Sequence, residues 1–561
     1  MPRLAAVAPP PSVNRMASRS DSQPLRYRRL RPPEGDGEVL FDPLRGETEQ
    51  AIADNVCGAA QRTGSLGDRP WQDWVEAARA DLLNAALTYT RRYAGESLAH
   101  SPPDSSQRIY LVGHQPELVH PGVWLKNFVL DALAKRDGAT AVHVLIDNDT
   151  AGEAAIEVPG GTVQSPSLQS IGLDLPQGDK QGLPWEEQLL QDEEYFGASG
   201  GRIASSLAEL IEQPIAQSLN WNIADSVESP VRLGEQLARM RHELELQWGL
   251  RILEVPLSRL CQTESFRAFC AEALAQLGHL HDVYNATLGE YRRVHRLRTR
   301  SHPVPDLQRQ GSLLETPFWV WTKENPVRRR LWARTDGDAM ELTDVEGLSR
   351  RLANPQRSFA NCFRQLAELE QEGIKIRPRA LMTTMYLRVF LCDYFIHGIG
   401  GAKYDQITDV LIRSVFGFSA PSYLTVTGTR RLPIPRCDPP ADIAEFKRRL
   451  RDIAFHPERY LPADNPPSTK AKIDALVTEK QQATSGASDI NPKERHEIVH
   501  RVNEALQTYV SSTKQSLQQQ CERAEIAAQA EKILGARDYS FCLFPQDSLR
   551  SWLLDAARGA I

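Results

Sequence analysis

IYLVGHQPELVHPGVWLKNFVLDALAKRDGATAVHVLID, residues 109–147, carries the clearest fold signal of the chain. It begins with the apolar run IYLVG and ends with the apolar run AVHVLID, and both runs are typical of buried strands. Between them, GVWLKNFVLDALAK repeats its apolar residues with the period of a helix. A strand, a helix and a second strand in this order form a βαβ unit, whose strands lie parallel with a right-handed crossover. We therefore predict an α/β fold.

Two further parts of the chain are predicted: one completes this core, and the other is inserted between its two halves. The first half of the core spans residues 105–160. Residues 374–417 return to the composition of a buried core around a glycine cluster, which indicates a second half within residues 373–439. Residues 160–310 are polar and mostly helical in pattern, and we expect residues 161–372 to form an inserted connecting region with helices and a β-hairpin.

A small β element is predicted inside this insertion. ETPFWVW and RRLWART alternate like strands, and Asp336-Gly337-Asp338 supplies the turn chemistry for a hairpin into AMEL. We interpret the adjacent arginines 328–330 as a solvated edge of the hairpin. Its aromatic side chains are interpreted as hairpin packing: Phe318, Trp319, Trp321 and Trp332.

The two ends of the chain differ from the core in composition. Residues 1–36 contain seven arginines, three acidic residues and few large apolar side chains, so we predict a disordered basic arm. A tail for an anionic partner is the alternative. Residues 37–104 form an N-terminal helical segment, and residues 536–561 are expected to pack on the core.

Residues 440–535 are charged, rich in alanine and glutamine, and helical in pattern. Five residues in this region are spaced alternately three and four apart: Val499, Val502, Leu506, Tyr509 and Thr513. This spacing predicts a short coiled-coil seam. We expect the chain to form a homodimer through it.

The overall composition excludes several functional classes. The 561 residues carry a formal net charge of −6, so there is no global basic field for non-specific nucleic-acid binding. No apolar run approaches the length that spans a bilayer, and the eight cysteines contain no Cys-x-x-Cys pair. The Walker pattern is absent as well. We expect a cytoplasmic protein with neither a membrane nor a specific nucleic-acid partner.

The loop at residues 113–122 is the first candidate site, because it joins the carboxyl end of a strand to the start of a helix. Backbone N–H groups and the helix dipole favour an anion there, and open α/β sheets bind ligands at such ends. His120 is placed to donate to a phosphate, His114 or Gln115 to orient a substrate, and Lys126 to add charge. The alternative is that His120 only forms a turn and helix cap, with His114 satisfied by local backbone.

Two other segments carry candidate residues. Asp147, Asn148 and Asp149 follow the next strand, where acidic side chains bind a ribose, an amine or a metal; a capping turn is the alternative. In the second half, Arg377 precedes the segment HGIGGAKYD (397–405). There Gly400 and Gly401 let the backbone approach a ligand and Lys403 adds a mobile cation, whereas a plain tight turn is the alternative.

At these motifs the chain resembles the bacillithiol-biosynthesis cysteine-adding enzyme family. The loop after the first strand, the strand end LIDNDT, the hairpin TPFWVW through GDAMEL, the segment IRPRALMTT and the loop IHGIGG follow one another as in that family. The site positions that the resemblance carries over are Gly113, His114, Gln115, Gly122, Trp124, Asp147, Asn148, Asp149, Arg377, Gly400 and Gly401.

The resemblance implies a Rossmann-like core related to class I synthetases and nucleotidylyltransferases, with inserted connecting segments and a C-terminal dimerising coiled coil. It also implies a ligase that attaches cysteine to the amino group of a glucosaminyl malate. His120-Pro121-Gly122-Val123 then lies where the synthetases carry His-x-Gly-His. Whether ATP or ADP is used stays open, and no metal ligands are assigned.

The leading hypothesis is therefore a ligase or transferase that joins an amino acid, with cysteine as one candidate, to an amine-bearing small molecule. In it, the loop of His114, Gln115 and His120 and the segment of Gly400, Gly401 and Lys403 face an anionic or phosphorylated group. Asp147 and Asp149 hold the amine or a ribose, and one of these carboxylates acts as general base. A nucleotidylyltransferase, in which His120 and Lys403 stabilise the transferred phosphate, is the first alternative. The second alternative is a non-catalytic dimeric interaction protein that retains the fold.

Overall fold

The computed structural model describes residues 25–94, 107–175, 182–223, 230–299, 301–435, 442–485 and 490–561. Residues 1–24 of the expected basic arm lie outside these ranges. The described remainder of the arm packs on the core instead of being disordered. Leu30 is buried, Arg28 pairs with Asp42 at 2.5 Å, and the Thr429 hydroxyl donates to the Pro33 carbonyl at 2.6 Å. The prediction of disorder is therefore wrong for residues 25–36.

The strands of the described residues are β1 (Val39–Asp42), β2 (Ser65–Leu66), β3 (Arg69–Pro70), β4 (Ile109–His114), β5 (Thr140–Leu145), β6 (Ala155–Gly161), β7 (Pro166–Gly172), β8 (Leu253–Pro256), β9 (Arg309–Gln310), β10 (Leu313–Thr322), β11 (Arg329–Asp336), β12 (Ala339–Thr343), β13 (Ser349–Ala353), β14 (Ile374–Pro378), β15 (Tyr394–His397) and β16 (Tyr423–Gly428).

The α-helices of the described residues are α1 (Arg45–Ala60), α2 (Trp71–Ala94), α3 (Pro121–Asp137), α4 (Glu193–Gly197), α5 (Ser199–Leu207), α6 (Leu233–Gln247), α7 (Leu257–Leu260), α8 (Glu264–Ala275), α9 (Leu277–Val294), α10 (Phe359–Gln371), α11 (Ala380–Tyr386), α12 (Ile399–Phe416), α13 (Ile443–Phe455), α14 (Pro467–Thr484), α15 (Pro492–Leu534) and α16 (Gln546–Arg558).

The central sheet has the order β1-β16-β15-β4-β5-β8. Its last five strands run parallel, and β1 pairs antiparallel with β16 at one edge. The βαβ unit predicted from residues 109–147 is present as β4, α3 and β5, with Ile109 opposite Thr140. The α/β prediction is therefore confirmed, with parallel strands at the centre of a mixed sheet.

Both faces of this sheet are covered. Along β4, Ile109 and Leu111 belong to one buried cluster, which includes α12, whereas Tyr110 and Val112 belong to a second cluster, which includes α3 and α16. A parallel strand buried on both faces reads as a continuous apolar run, which explains the IYLV pattern. The helices that follow β4 and β15 consequently lie on opposite faces.

Three strands lie outside the parts of the chain where the sequence placed them. β8, inside the expected insertion, pairs in parallel with β5 and so belongs to the central sheet. β14, expected in the second half of the core, pairs antiparallel with β10 instead. β1 belongs to the expected helical segment but extends the central sheet. These strands have only four or five residues, too few to show a clear period.

A second sheet has the order β13-β12-β11-β10-β14. It contains the predicted hairpin, since β11 pairs antiparallel with β12 through a turn in which Gly337 has φ of +58°. Glycine adopts this left-handed conformation without a steric penalty. Strand β10 places Trp319 and β14 places Arg377 in register opposite each other. Trp319 of this second sheet therefore lies close to residues of the central sheet.

The helices of residues 442–535 pack within the chain. Val502 and Leu506 of α15 are fully buried against a cluster that includes Ile473 of α14, and Val510 is buried with Ile453 of α13. Two of the five positions predicted to form an intermolecular seam, Val502 and Leu506, are thus buried by this chain's own helices. None of the helices in the described parts of the chain combines the length and apolar character needed to cross a membrane.

Candidate functional site

A cavity of about 470 Å³ opens at the carboxyl ends of β4 and β15. These neighbouring strands are followed by helices on opposite faces of the sheet, and open α/β sheets bind ligands at such a crevice. Eight of the residues predicted for the site line this cavity: Gly113, His114, Gln115, Lys126, Asn148, Asp149, Gly400 and Gly401. The structure thus brings all three predicted segments to one place.

The wall from β15 is the amino-terminal turn of α12. This helix begins directly after Gly398, whose extended backbone serves as the N-cap without a side-chain hydrogen bond. Gly401 packs so closely on His397 that a Cβ there would lie 2.6 Å from Nδ1, whereas a Cβ at Gly400 would meet nothing within 4 Å. The first turn therefore presents bare backbone to the cavity, where unsatisfied N–H groups and the helix dipole favour an anion.

Lys126 provides a positive charge beside this turn. Its Nζ donates a hydrogen bond of 3.1 Å to the Gly113 carbonyl, and it lies 4.0 Å from the place a Cβ of Gly398 would occupy. The side chain is buried and forms no ion pair with any described carboxylate. Burial lowers the pKa of Lys126 to about 7. An anion in the cavity would raise that pKa by favouring the charged form.

His397 and Asp405 form a buried pair at the same wall. Nε2 of His397 lies 2.8 Å from Oδ2 of Asp405, and the same oxygen binds Arg388 at 2.5 Å. The other carboxylate oxygen, Oδ1, accepts from the Thr384 hydroxyl at 2.8 Å. Burial would raise the pKa of Asp405, but Arg388 outweighs it and holds the pKa well below its usual range. Burial lowers the pKa of His397. The ring is therefore neutral near pH 7, with Nε2–H donating to Asp405 and Nδ1 left as the basic nitrogen.

The opposite wall joins the end of β5 to the second sheet. Asp149 accepts from Gln115 Nε2 at 3.0 Å and from Arg328 Nη1 at 2.7 Å, and its side chain keeps 41% of its exposure. The Trp319 ring lies between two guanidinium groups, with Arg328 at 4.4 Å and Arg379 at 4.0 Å from its centroid. This wall thus combines one accessible carboxylate with two ordered cations.

His114 is buried and lies within a network of protein contacts. Its Nδ1 lies 2.9 Å from the Gln115 carbonyl, and its ring packs against the His143 ring, with the centroids 4.0 Å apart and the planes tilted by 36°. His143 binds Glu254 at 2.7 Å, and Glu254 binds Arg241 at 2.5 Å. Burial, followed by the charge of His143, holds the pKa of His114 well below its ordinary value. His114 is thus a neutral, fixed wall residue.

Three predicted residues at the end of the loop after β4 and in the first turn of α3 lie away from the cavity. His120 caps α3, accepting from the Gly122 N–H at 3.1 Å, and burial lowers its pKa to about 4. Gly122 packs against the Gly428 carbonyl, where a Cβ would collide. Trp124 is fully buried, donates to Glu245 at 2.5 Å and packs on Phe541. The interpretation of His120 as a helix cap therefore fits the structure, and the side chain of Trp124 packs in the hydrophobic core.

Three other predicted residues are also displaced from the cavity lining. Asp147 turns towards Ser258, accepting from its N–H at 2.9 Å and its hydroxyl at 2.5 Å. Burial and the charge of Glu186 raise the pKa of Asp147 to about 7. Arg377 is fully buried and pairs with Glu186 at 2.9 Å. Lys403 is exposed on α12, and the cavity lining does not include it.

Sequence reasoning missed several residues that line the cavity. His397 was quoted with its glycine cluster but not selected, although it ends a strand beside another candidate loop. Arg328 was interpreted as a solvated edge, and that interpretation is wrong, because its guanidinium pairs with Asp149. Trp319 lies on β10 of the second sheet and Arg379 directly follows β14, and nothing in their local pattern connects them to the end of β4. Within the described ranges, no cluster of three or more His, Cys, Asp or Glu side chains is arranged to hold a metal ion.

Comparisons with known proteins place no constraint on this site. A scan against protein-family models found no match to the chain, and a search of curated proteins found no relative.

Proposed function

We propose that this protein is a ligase or transferase with a Rossmann-like core that joins an amino acid to an amine-bearing small molecule at the expense of a nucleoside triphosphate. The observation that carries this proposal is the convergence in one cavity of Lys126, the bare first turn of α12 and the His397–Asp405 pair. Such a transfer needs a site that binds the anionic group and a neutral base that accepts a proton.

The order of the five parallel strands supports the Rossmann-like interpretation. In the sequence of the chain, β4 is the first of them, β5 the second, β8 the third, β15 the fourth and β16 the fifth, and the sheet order is fifth, fourth, first, second, third. Doubly wound nucleotide-binding folds have this order and bind the phosphates where the order reverses. Here that place lies between β4 and β15, at the cavity.

Lys126 and the first turn of α12 are the groups we assign to the phosphate-bearing ligand. Burying a charged lysine without a carboxylate partner costs free energy. A bound anion offsets that cost because it stabilises the charged form of the side chain. Glycine at positions 398, 400 and 401 keeps side chains out of the approach to the backbone N–H groups. Together these features match the way in which helix termini hold phosphate groups.

Asp149 and His397 are the groups we assign to the amine. The accessible carboxylate of Asp149 binds the acceptor, and Nδ1 of His397 takes its proton. The amine nitrogen forms a C–N bond with the activated carbonyl carbon of the amino acid. The bond from that carbon to the leaving phosphate or nucleotide oxygen breaks with its electron pair on the oxygen, and the amine proton passes to Nδ1.

The nucleotidylyltransferase alternative has less support. It depended on His120 and Lys403, yet His120 caps α3 and Lys403 lies outside the cavity lining. Helices of the same chain also bury Val502 and Leu506, two of the five seam positions on which the non-catalytic dimer depended. Neither alternative uses the His397–Asp405 pair.

The proposal is tested by following product and nucleotide together. Purified protein is incubated with ATP, a mixture of amino acids that includes cysteine, and glucosamine or its malate glycoside, and condensed products are identified by mass. We expect a product equal to the two substrates less one water, with ATP consumed only when both are present. The variant His397→Gln should bind ATP but form little product. ATP consumption that needs no amine would contradict the proposal, as would the absence of both binding and product.

A further inference from the structure

Arg388 lies at the centre of a cluster of charged side chains beside the cavity at β4 and β15. It belongs to a single π-helical turn, Leu387–Leu391, which follows α11, and its side chain is 1% exposed. Such turns are rare and occur frequently at functional sites. Arg388 binds Asp405 at 2.5 Å through Nη1 and Asp409 at 2.7 Å through Nη2, and Nη2 also donates to the Pro421 carbonyl. One guanidinium group is therefore held between two carboxylates of α12.

This cluster reaches His397 through a single carboxylate oxygen. Oδ2 of Asp405 contacts Nη1 of Arg388 at 2.5 Å and Nε2 of His397 at 2.8 Å. The rings of Phe395 and Tyr423 pack against the imidazole with centroid distances of 4.5 and 4.8 Å. The guanidinium group of Arg388 also lies 4.7 Å from the centroid of the Tyr423 ring. The imidazole is thus fixed against Asp405, and a change in the charge of that carboxylate acts on it directly.

Arg388 opposes the protonation of His397 by offsetting the charge of the two carboxylates. Two ionised carboxylates alone would favour the imidazolium form, because nearby negative charge stabilises a positive group. Burial is the main cause that lowers the pKa of His397, and the charge of Arg388 lowers this pKa further. Burial would raise the pKa of Asp405, but Arg388 holds it well below its usual range. The hydrogen-bond partner of Nε2 therefore stays ionised.

Other titratable groups surround the cluster at longer range. Among the described residues, Asp405 is the only one that hydrogen-bonds to the imidazole of His397. The surrounding groups are Lys126 of α3, Tyr404 of α12, Tyr423 of β16, Arg28 of the basic arm, Arg62 after α1 and Cys392 after the π-helical turn. Asp405 and Asp409 are thus the carboxylates through which Arg388 acts on the imidazole.

We propose that Arg388 is a positioning residue for the reaction, which acts through Asp405 to keep His397 a neutral base. The role rests on the proposed function, in which His397 accepts the proton of the amine. A guanidinium group suits this role because it stays charged throughout the working pH range. Asp405 then remains the acceptor for Nε2–H, and Nδ1 keeps the lone pair that takes the proton. The imidazolium formed in that step is paired with Asp405.

The test follows the imidazole of His397 by NMR, in protein labelled with carbon-13 at Cε1 of histidine. The chain has 13 histidines, and the signal that disappears in His397→Gln identifies the one in question. Arg388→Met leaves both carboxylates without their cation, so we expect the pKa of His397 to rise. The acid limb of kcat should move to higher pH by about one pH unit or more, with little change in KM. Activity lost at pH 7 should therefore return at higher pH.

Two further variants separate this role from a structural one. Arg388→Lys keeps the charge and should restore most of the wild-type pH profile. Asp409→Asn removes one carboxylate and should move the His397 titration and the acid limb to lower pH, opposite to Arg388→Met. The side chain of Asp409 keeps 31% of its exposure, so this variant decides the question if Arg388→Met does not fold.

Arg79→Met is the matched control, because Arg79 also forms a largely buried ion pair, with Asp393 at 2.8 Å. Asp393 directly precedes β15, whereas His397 ends it. The control should lower the temperature of thermal unfolding without moving the His397 titration or the acid limb. An unchanged titration in folded Arg388→Met, or in Asp409→Asn, would overturn the proposal and make Arg388 a structural residue. Absence of product from the wild type would overturn the proposed function instead, whatever the titrations show.

Discussion

The ammonium group of Lys126, on α3, lies 3.1 Å from the carbonyl oxygen of Gly113, at the end of β4. This bond holds a buried cation at the place where the central sheet reverses its strand order and beside the first turn of α12. Burial lowers the pKa of Lys126 to about 7, so the folded protein disfavours a charge that the unfolded chain carries freely. A position that costs stability in this way is typical of a binding site.

Replacing Lys126 with methionine should separate binding from stability. We expect Lys126→Met to abolish ATP binding and to raise the free energy of unfolding by on the order of 1–2 kcal/mol at pH 7, because an uncompensated buried charge is removed. Lys135→Met is the matched control on the same helix, since Lys135 is half exposed and pairs with Asp131. It should change stability by only about 0.5 kcal/mol and leave ATP binding intact. Loss of stability in Lys126→Met would mean that the lysine is structural.

Adding one methyl group at Gly400 should block the backbone that the ligand approaches. A Cβ at this position meets no protein atom within 4 Å, so Gly400→Ala should fold normally and gain up to about 1 kcal/mol of helix stability. ATP affinity should fall about tenfold or more, since a charge-assisted hydrogen bond to the backbone is lost. Gly289→Ala, at an exposed and equally open position of α9, is the control for both measurements. Unchanged ATP affinity in Gly400→Ala would exclude close contact with this turn.

His397→Gln should reduce turnover without preventing ligand binding. General-base catalysis contributes about 10²–10⁴-fold, so kcat should fall by a factor in this range while KM changes little. Because burial lowers the pKa of His397 below its ordinary value, the basic form persists at neutral pH, and the wild-type rate should fall only as the pH drops below about 6.5. His279→Gln alters an exposed histidine of α9 and should have no effect. An acid limb that survives in His397→Gln would assign the base elsewhere.

Asp147 should make stability depend on pH. Burial and Glu186 raise its pKa to about 7, so between about pH 4 and pH 7 the folded state retains a proton that the unfolded chain has released. The free energy of unfolding should therefore fall as the pH rises through this interval, by at most about 1.4 kcal/mol per unit from this group. Urea unfolding at pH 5, 6 and 7 should show a smaller decrease for Asp147→Asn than for the wild type. Equal slopes would show that Asp147 is ionised throughout.

The fold could be predicted where the sequence has a clear period. Residues 109–147 show the strand and helix patterns and form β4, α3 and β5 as expected. The residue types Asp336-Gly337-Asp338 also predicted the turn between β11 and β12. β8 and β14 were misplaced because four or five residues fit a helix face and either sheet equally well. Local pattern does not determine which sheet a short strand joins.

The site was predictable as a location but not as a set of side chains. The strand-end rule brought Gln115, Asp149 and Gly400 correctly to one cavity. The direction of each side chain depends on contacts with distant parts of the chain: Asp147 turns to Ser258, and Arg328, directly before β11, reaches Asp149. The sequence shows neither relationship, because the partners are more than 100 residues apart.

Calorimetric titration with ATP at pH 8, in two buffers of different ionisation enthalpy, tests the central claim most directly. The terminal phosphate of ATP is already ionised at this pH, so protons taken up on binding come to the protein. With the pKa of Lys126 at about 7 in the free protein, we predict an uptake that approaches one proton per ATP bound, and no binding to Lys126→Met. ATP binding without proton uptake, or binding that persists in Lys126→Met, would contradict the account.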